Sequence, residues 1–263
     1  MQRKRKEVKI TQKRTTFFQK AYYILKPLAI YMLVKTLAQL LLVMTVVSVP
    51  LGGAAEFVSQ NYNQINAVIN GIASVVGVIF LVGDFLKEAA VSGEVDIDAG
   101  MARQFAAYMK NGFFGYEKVN ALGLAICAIF GAVSSIALNA AVSYGLELFQ
   151  SVSERYANVE QIQYSVPLWL GIVLYGIIAP FAEELVFRGV TYNRMKRFYS
   201  IPRSIVVTAL IFGAFHANLP QFLYGTCMGM LIALCYEKEK CFAAPVVFHM
   251  AANITVFALS MVT

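Results

Sequence analysis

The chain alternates long apolar runs with short polar connections. With about 20 apolar residues needed for one membrane crossing, the pattern predicts about seven helices, at 27–49, 66–86, 119–143, 167–184, 203–217, 221–236 and 241–261, with an eighth possible. The fifth and sixth are short. Asn218-Leu219-Pro220 joins them, and proline is suited to starting a helix, so Pro220 opens the sixth with Asn218 or Ala217 outside it. This pair reads as a helical hairpin whose turn sits inside protein or faces a cavity. The expected fold class is all-α, a polytopic transmembrane helical bundle, with no internal repeat and no soluble domain.

Charge along the connections gives an orientation. Residues 50–65 contain no Lys or Arg, and residues 144–166 contain only Arg155 against Glu147, Glu154 and Glu160. Basic residues gather instead in the N-terminal tail, at Lys87, Arg103, Lys110 and Lys118, from Arg188 to Arg203, and at Lys238 and Lys240. The positive-inside rule then puts the N-terminus in the cytoplasm and the C-terminus outside. Residues 102–116 mix basic and aromatic side chains and suggest an interfacial segment, while 146–162 are amphipathic and acidic. Both read as ordinary interface packing.

Composition supports a membrane protein. Of 263 residues, 59% are hydrophobic and 14% charged, and mean hydropathy is +0.63; a soluble globular chain would carry far more charge. The net charge of +7 is concentrated, since nine of 22 Lys and Arg fall within residues 1–26. That tail reads as a cytoplasmic patch on anionic lipid and not as a nucleic-acid site, because no aromatic residues interleave with its basic ones before Phe17. The apolar run after it is too long for a cleaved signal, so a retained signal-anchor helix is expected, in a multi-pass protein of the plasma membrane if the source is prokaryotic. Cys127, Cys227, Cys235 and Cys241 lack C-x-x-C spacing and read as small buried hydrophobes.

Polar residues inside the apolar runs are costly and need partners. Lys35 and Gln39 share one helix face, and Asp84 lies near Lys87; both pairs read as structural. The later runs hold a denser set. Glu184 and Arg188 are at i and i+4 and can pair, which leaves Glu183 about 100° around the helix, free to face something else. His216 ends the fifth run, and His249 and Asn253, again i and i+4, project from one face of the last. Each alone is commonly a helix–helix hydrogen-bonding group. Together a carboxylate, two imidazoles and a carboxamide suffice for water activation and oxyanion stabilisation. The sequon Asn253-Ile254-Thr255 lies in an apolar run and reads as coincidental.

These residues resemble the CAAX-protease and bacteriocin-processing family (CPBP or Abi) of intramembrane glutamic endopeptidases. Its E-E-x-x-x-R, F-x-x-x-H and H-x-x-x-N motifs stand here as Glu183-Glu184-Leu-Val-Phe-Arg188, Phe212-Gly-Ala-Phe-His216 and His249-Met-Ala-Ala-Asn253, in order and without substitution. The resemblance covers about 165–260. It implies a membrane-embedded glutamate-dependent endopeptidase with a basic tail at 1–26, N-terminal helices and connections at 27–165, and a catalytic core at 166–263, in the last four helices. By resemblance, Glu183 is the general base that activates water with help from His216, and His249 and Asn253 stabilise the oxyanion. Glu184 and Arg188 are supporting, and Phe212 packs beside the cavity. The substrate class implied is a peptide or protein at the membrane, lipidated or a peptide precursor, with membrane lipid as the other partner and no nucleic acid.

No cofactor is expected. Two histidines and a glutamate could supply zinc ligands, but no H-E-x-x-H pair exists, so zinc is the lesser alternative. A non-proteolytic scaffold or bacteriocin self-immunity protein of the same fold is the alternative function, and a transporter with a Glu/His relay a weaker one. For Glu183 and His216 to meet, the fourth helix must continue past Arg188 to about Tyr199. A cavity open to the cytoplasmic side is then expected.

Overall fold

The computed structural model describes residues 16–48, 54–91, 100–113, 121–147 and 165–261, and among these every regular element is helical. The first helix, α1 (Phe17–Ser48), starts ten residues before the expected run and contains Pro27. A reciprocal cap explains its start: the Thr16 amide donates to Gln19 Oε1 at 2.9 Å and the Gln19 amide to Thr16 Oγ1 at 3.3 Å. The final residues of the basic tail are therefore helical, with Lys20 over the Phe198 ring.

The short α2 (Ala54–Gln60) leads into α3 (Tyr62–Val91), and α4 (Met101–Ala107), extended by a π turn at Tyr108–Gly112, covers part of the expected interfacial segment. Its residues 114–116 and most of the acidic segment 146–162 lie outside the described residues. Next come α5 (Ala121–Glu147), α6 (Leu168–Lys196), α7 (Ile201–Ala214), α8 (Leu219–Glu239) and α9 (Ala243–Leu259).

Five of these, α1, α3, α5, α6 and α8, are long and apolar enough to cross a membrane, and α7 and α9 are shorter apolar helices. The protein is an integral, multi-pass helical bundle. Two length expectations are corrected. The sixth apolar run is not short, because α8 extends through its polar last turn to Glu239. The seventh is the shorter one, ending at Leu259 after 17 residues. The hairpin turn follows the expected chemistry: Ala217 is left-handed at φ 57°, Asn218 Oδ1 accepts from the Gln221 amide at 2.9 Å as the cap, and Pro220 sits in the first turn. The cysteines are free thiols, three of them buried, but Cys227 is exposed on α8 and not part of the core.

Packing divides the bundle. Helix α1 runs along α3, α7 along α8, and α9 along α5. A Cβ at Gly131 of α5 would overlap the Phe248 carbonyl of α9, so that crossing depends on glycine. Leu185, Val186, Phe187 and Val190 of α6 are fully buried and pack with Phe85 of α3, Tyr31 of α1, Phe242 and Val246. Since lipid is as apolar as these side chains, the gain comes from dispersion and close packing more than from leaving water.

One end of the bundle is held by ions. Buried Glu88 of α3 accepts from Arg194 Nε at 3.0 Å, from Arg197 Nη2 and from the Tyr23 hydroxyl at 3.3 Å. Arg194 also pairs with Asp84 at 3.1 Å, closer than the expected Asp84–Lys87 contact at 3.9 Å. This network ties α1, α3 and α6 together. Breaking a buried pair from one side costs about 3–5 kcal/mol, so Glu88→Ala is expected to lower the thermal midpoint in detergent by several degrees. Adding Arg194→Met should recover part of that loss, and an unchanged midpoint in the single variant would show the network to be energetically idle.

Candidate active site

Helix α6 runs unbroken from Leu168 to Lys196, past Arg188 as expected, so Glu183 and Glu184 lie near its middle. It is not a uniform α-helix. Ile172–Ile178 and Leu185–Tyr192 are π-helical, on either side of an α segment Ala179–Glu184 that contains Pro180. Proline has no N–H and its ring crowds the carbonyl four residues back. The wide turn before it accommodates both effects without breaking the helix.

Glu184 is fully buried and its Oε1 is shared. Arg188 Nη1 donates to it at 2.9 Å and His249 Nδ1–H at 2.7 Å. Arg188, 2% exposed, donates through Nη2 to the Gly229 carbonyl of α8 at 2.9 Å and lays its guanidinium over the Phe212 ring at 4.8 Å. The expected Glu184–Arg188 pair is present. It also does more than hold α6 in register: it joins α6 to α7, α8 and α9. A π turn brings i+5 round nearly as well as i+4, so spacing alone separates Glu183 from Glu184 less sharply here than on an α-helix.

Glu183 is 13% exposed and lines a cavity of about 430 Å³ together with His216, His249, Asn253 and Phe212. With Nδ1 of His249 committed to Glu184, its Nε2 points to Glu183 Oε2 at 3.9 Å. His216 lies in the turn after α7. Its Nδ1–H donates to the Phe212 carbonyl at 3.0 Å, which selects the tautomer with an unprotonated Nε2. Phe212 separates the two imidazoles, with centroids 5.2 Å from His216 and 5.7 Å from His249. One N–H of the Asn253 amide goes to the Tyr175 carbonyl at 3.0 Å, and a primary amide has a second N–H to offer. All seven residues singled out from the sequence therefore meet at one place, five on the cavity wall and two directly behind it.

The lining of the cavity lies on the side of Glu183 away from the basic helix ends. Its lining comes from Ala67, Asn70 and Ser74 in the first half of α3, Leu174 and Tyr175 near the start of α6, Gln221 in the first turn of α8, and Val256 and Phe257 near the end of α9. Those helix ends lie away from Arg194, Lys196 and Lys238. The reason is packing: on the basic side of Glu183, Leu185, Phe187, Phe85 and Phe242 form the aromatic core and close that route.

Sequence reading also missed members of the wall. Lys35, read as structural, faces the cavity, as do Asn70, Ser74, Asn139 and Gln221. Only polarity inside an apolar run could have flagged them. Among the described residues no group of three His, Cys, Asp or Glu is arranged to hold a metal ion. Glu183, His216 and His249 share a wall but do not converge as a ligand set.

Residues 165–255 match the family model described as type II CAAX prenyl endopeptidase Rce1-like. Over 137 residues the chain is 26% identical to a protein of Bacillus subtilis (strain 168) named "Putative membrane peptidase YdiL", an alignment that covers 52% of this chain and 55% of that relative. The chain thus spans about half the length of the curated relative it matches. No solved structure gives a significant match. The matched segment begins before α6 and ends within α9, so it contains the two glutamates, both histidines and Asn253, and the match supports the resemblance of this segment to the CAAX-protease and bacteriocin-processing family.

Proposed function

We propose that this protein is an intramembrane endopeptidase that hydrolyses a peptide bond of a membrane-associated peptide or protein, lipidated or part of a peptide precursor. The observation that carries this reading is the division between two adjacent carboxylates. Glu184 is sealed behind His249, while Glu183 reaches a cavity large enough for an extended peptide segment and a water.

The chemistry follows from the donors and acceptors. Glu183, with the free Nε2 of His216 nearby, takes a proton from a water as its oxygen attacks the scissile carbonyl. The carbonyl π electrons move to oxygen, and the oxyanion is met by His249 Nε2–H and the second Asn253 N–H. To donate from both nitrogens His249 takes the imidazolium form, in which Nδ1–H stays on Glu184 Oε1 and Nε2–H is left for the oxyanion. Collapse of the tetrahedral intermediate breaks the C–N bond, and the proton taken from water goes to the leaving amine. No step requires a metal. The tail and the Arg-rich helix ends support a cytoplasmic N-terminus, so the cavity faces the other leaflet.

Glu183→Gln, His216→Ala and His249→Ala are each expected to lower kcat on a quenched-fluorescence peptide by about 10²-fold or more, with normal elution on size exclusion. Full turnover in all three would sink the peptidase reading. Hydrolysis should persist in a strong zinc chelator; loss that added zinc restores would overturn the metal-free mechanism. Arg188→Met leaves the buried Glu184 with His249 alone and should destabilise by about 3–5 kcal/mol. The pair Glu184→Gln with Arg188→Met should regain much of that thermal stability yet stay inactive, because His249 has lost its carboxylate.

A further inference from the structure

We infer that Lys35 turns one part of this cavity into a carboxylate-recognition site, which selects a substrate bearing an anionic group within a few residues of the scissile bond. The inference rests on the peptidase reading and adds a specificity determinant to it. Lys35 belongs to α1, far outside the segment that carries the family match. It contributes the single Lys or Arg among the residues lining the cavity.

Its ammonium has orienting contacts but no counter-ion. The Nζ atom lies over the rings of Tyr31, at 5.9 Å, and Phe215, at 5.6 Å. Among the described residues no carboxylate stands within ion-pairing distance of it. Glu183 lines the same cavity, but its ion-pair neighbour is His249. Two aromatic faces fix where the charge sits without replacing the anion or water that a cation inside a membrane bundle needs. A carboxylate arriving with the substrate would complete the site with a charge-assisted hydrogen bond.

Geometry bounds where that carboxylate lies. The Phe215 ring that carries Lys35 packs edge-on against His216 at 5.8 Å, so ammonium and imidazole are two ring contacts apart. An extended chain advances roughly 3.4 Å per residue, which puts the anionic group no more than about three residues from the bond held at Glu183 and His216. The remaining polar lining, Asn70, Ser74, Asn139 and Gln221, is uncharged and gives the peptide backbone partners without competing for the anion. Either a chain-terminal carboxylate or an Asp or Glu side chain has the required chemistry.

The full chain in detergent is titrated with N-acetylated apolar octapeptides that end in a free carboxylate, end in an amide, or end in an amide and carry one internal Glu or its Gln counterpart. The wild type should bind one carboxylate-bearing peptide about tenfold or more tighter than its neutral counterpart, and which peptide is favoured identifies the source of the anion. Lys35→Met should bring the paired affinities together, and Lys35→Glu should favour a peptide with Lys in place of the internal Glu. Equal binding of all peptides by the wild type would overturn the proposal. So would a Lys35→Met variant that weakens every peptide by the same factor. Cleavage recorded in parallel separates the two readings: anion-selective binding with no hydrolysis of any peptide refutes the peptidase and leaves the anion site standing, whereas hydrolysis without selectivity does the reverse.

Discussion

The structure depends on one buried carboxylate. Glu184 has no exposed surface and would be prohibitively costly in a membrane bundle without compensation. Arg188 neutralises it from its own helix, but a buried guanidinium brings its own needs, which the Gly229 carbonyl and the Phe212 face meet. Such a pair adds little net stability compared with an apolar replacement. Its value lies in direction, because its hydrogen bonds tie α6 to α8 and α9 and its guanidinium face adds α7. His249 accepts that constraint through Nδ1 and so has its Nε2 aimed at Glu183.

The asymmetry of the bundle follows. Past Glu184 toward the basic end, α6 presents Leu185, Val186, Phe187 and Val190, which aromatic side chains from α3 and α7 enclose completely. Before Glu183 it presents Leu174, Tyr175 and Ala179 to open space. Pro180 and the π turns around it sit at the boundary between these halves. A helix that was closed on both sides could keep Glu184 but would give Glu183 nothing to act on.

Much of this was legible in the chain. The spacing of Glu184 and Arg188, and of His249 and Asn253, is a local property that any helix displays, and the polar residues stand out because their surroundings are apolar. Long-range pairings were not legible. Glu88 meets Arg194 across 106 positions, and Lys35 reaches a cavity built largely from residues after 165; no periodicity encodes either. The separation of the two glutamates was anticipated from α-helical geometry, but the wide turn after Glu184 weakens that argument, and what separates them is that Arg188 and His249 enclose Glu184 while Glu183 lines the cavity. Nor does the pattern say where the cavity lies: charge along the connections orients the helices, whereas core packing decides which part of the bundle holds open space.

Hydrolysis inside a bundle of this composition needs water and a peptide backbone in a place that excludes both by default. The cavity wall answers this with neutral polar side chains. Asn70, Ser74, Asn139 and Gln221 come from α3, α5 and α8, and none is ionised, so they can solvate a peptide without drawing the charge of Glu183 away from the reacting carbonyl. The ionisable side chains of the wall are at two places, Glu183 with the histidines and Lys35 over its aromatic pair. Separated opposite charges in a poorly screened cavity create a field along it, and a substrate with its own polarity is aligned by that field before any contact forms. On the proposed reading the direction of a peptide in the site is set by α1, an element the family match does not include, which places the proposed chemistry and the proposed choice of substrate in different parts of the chain.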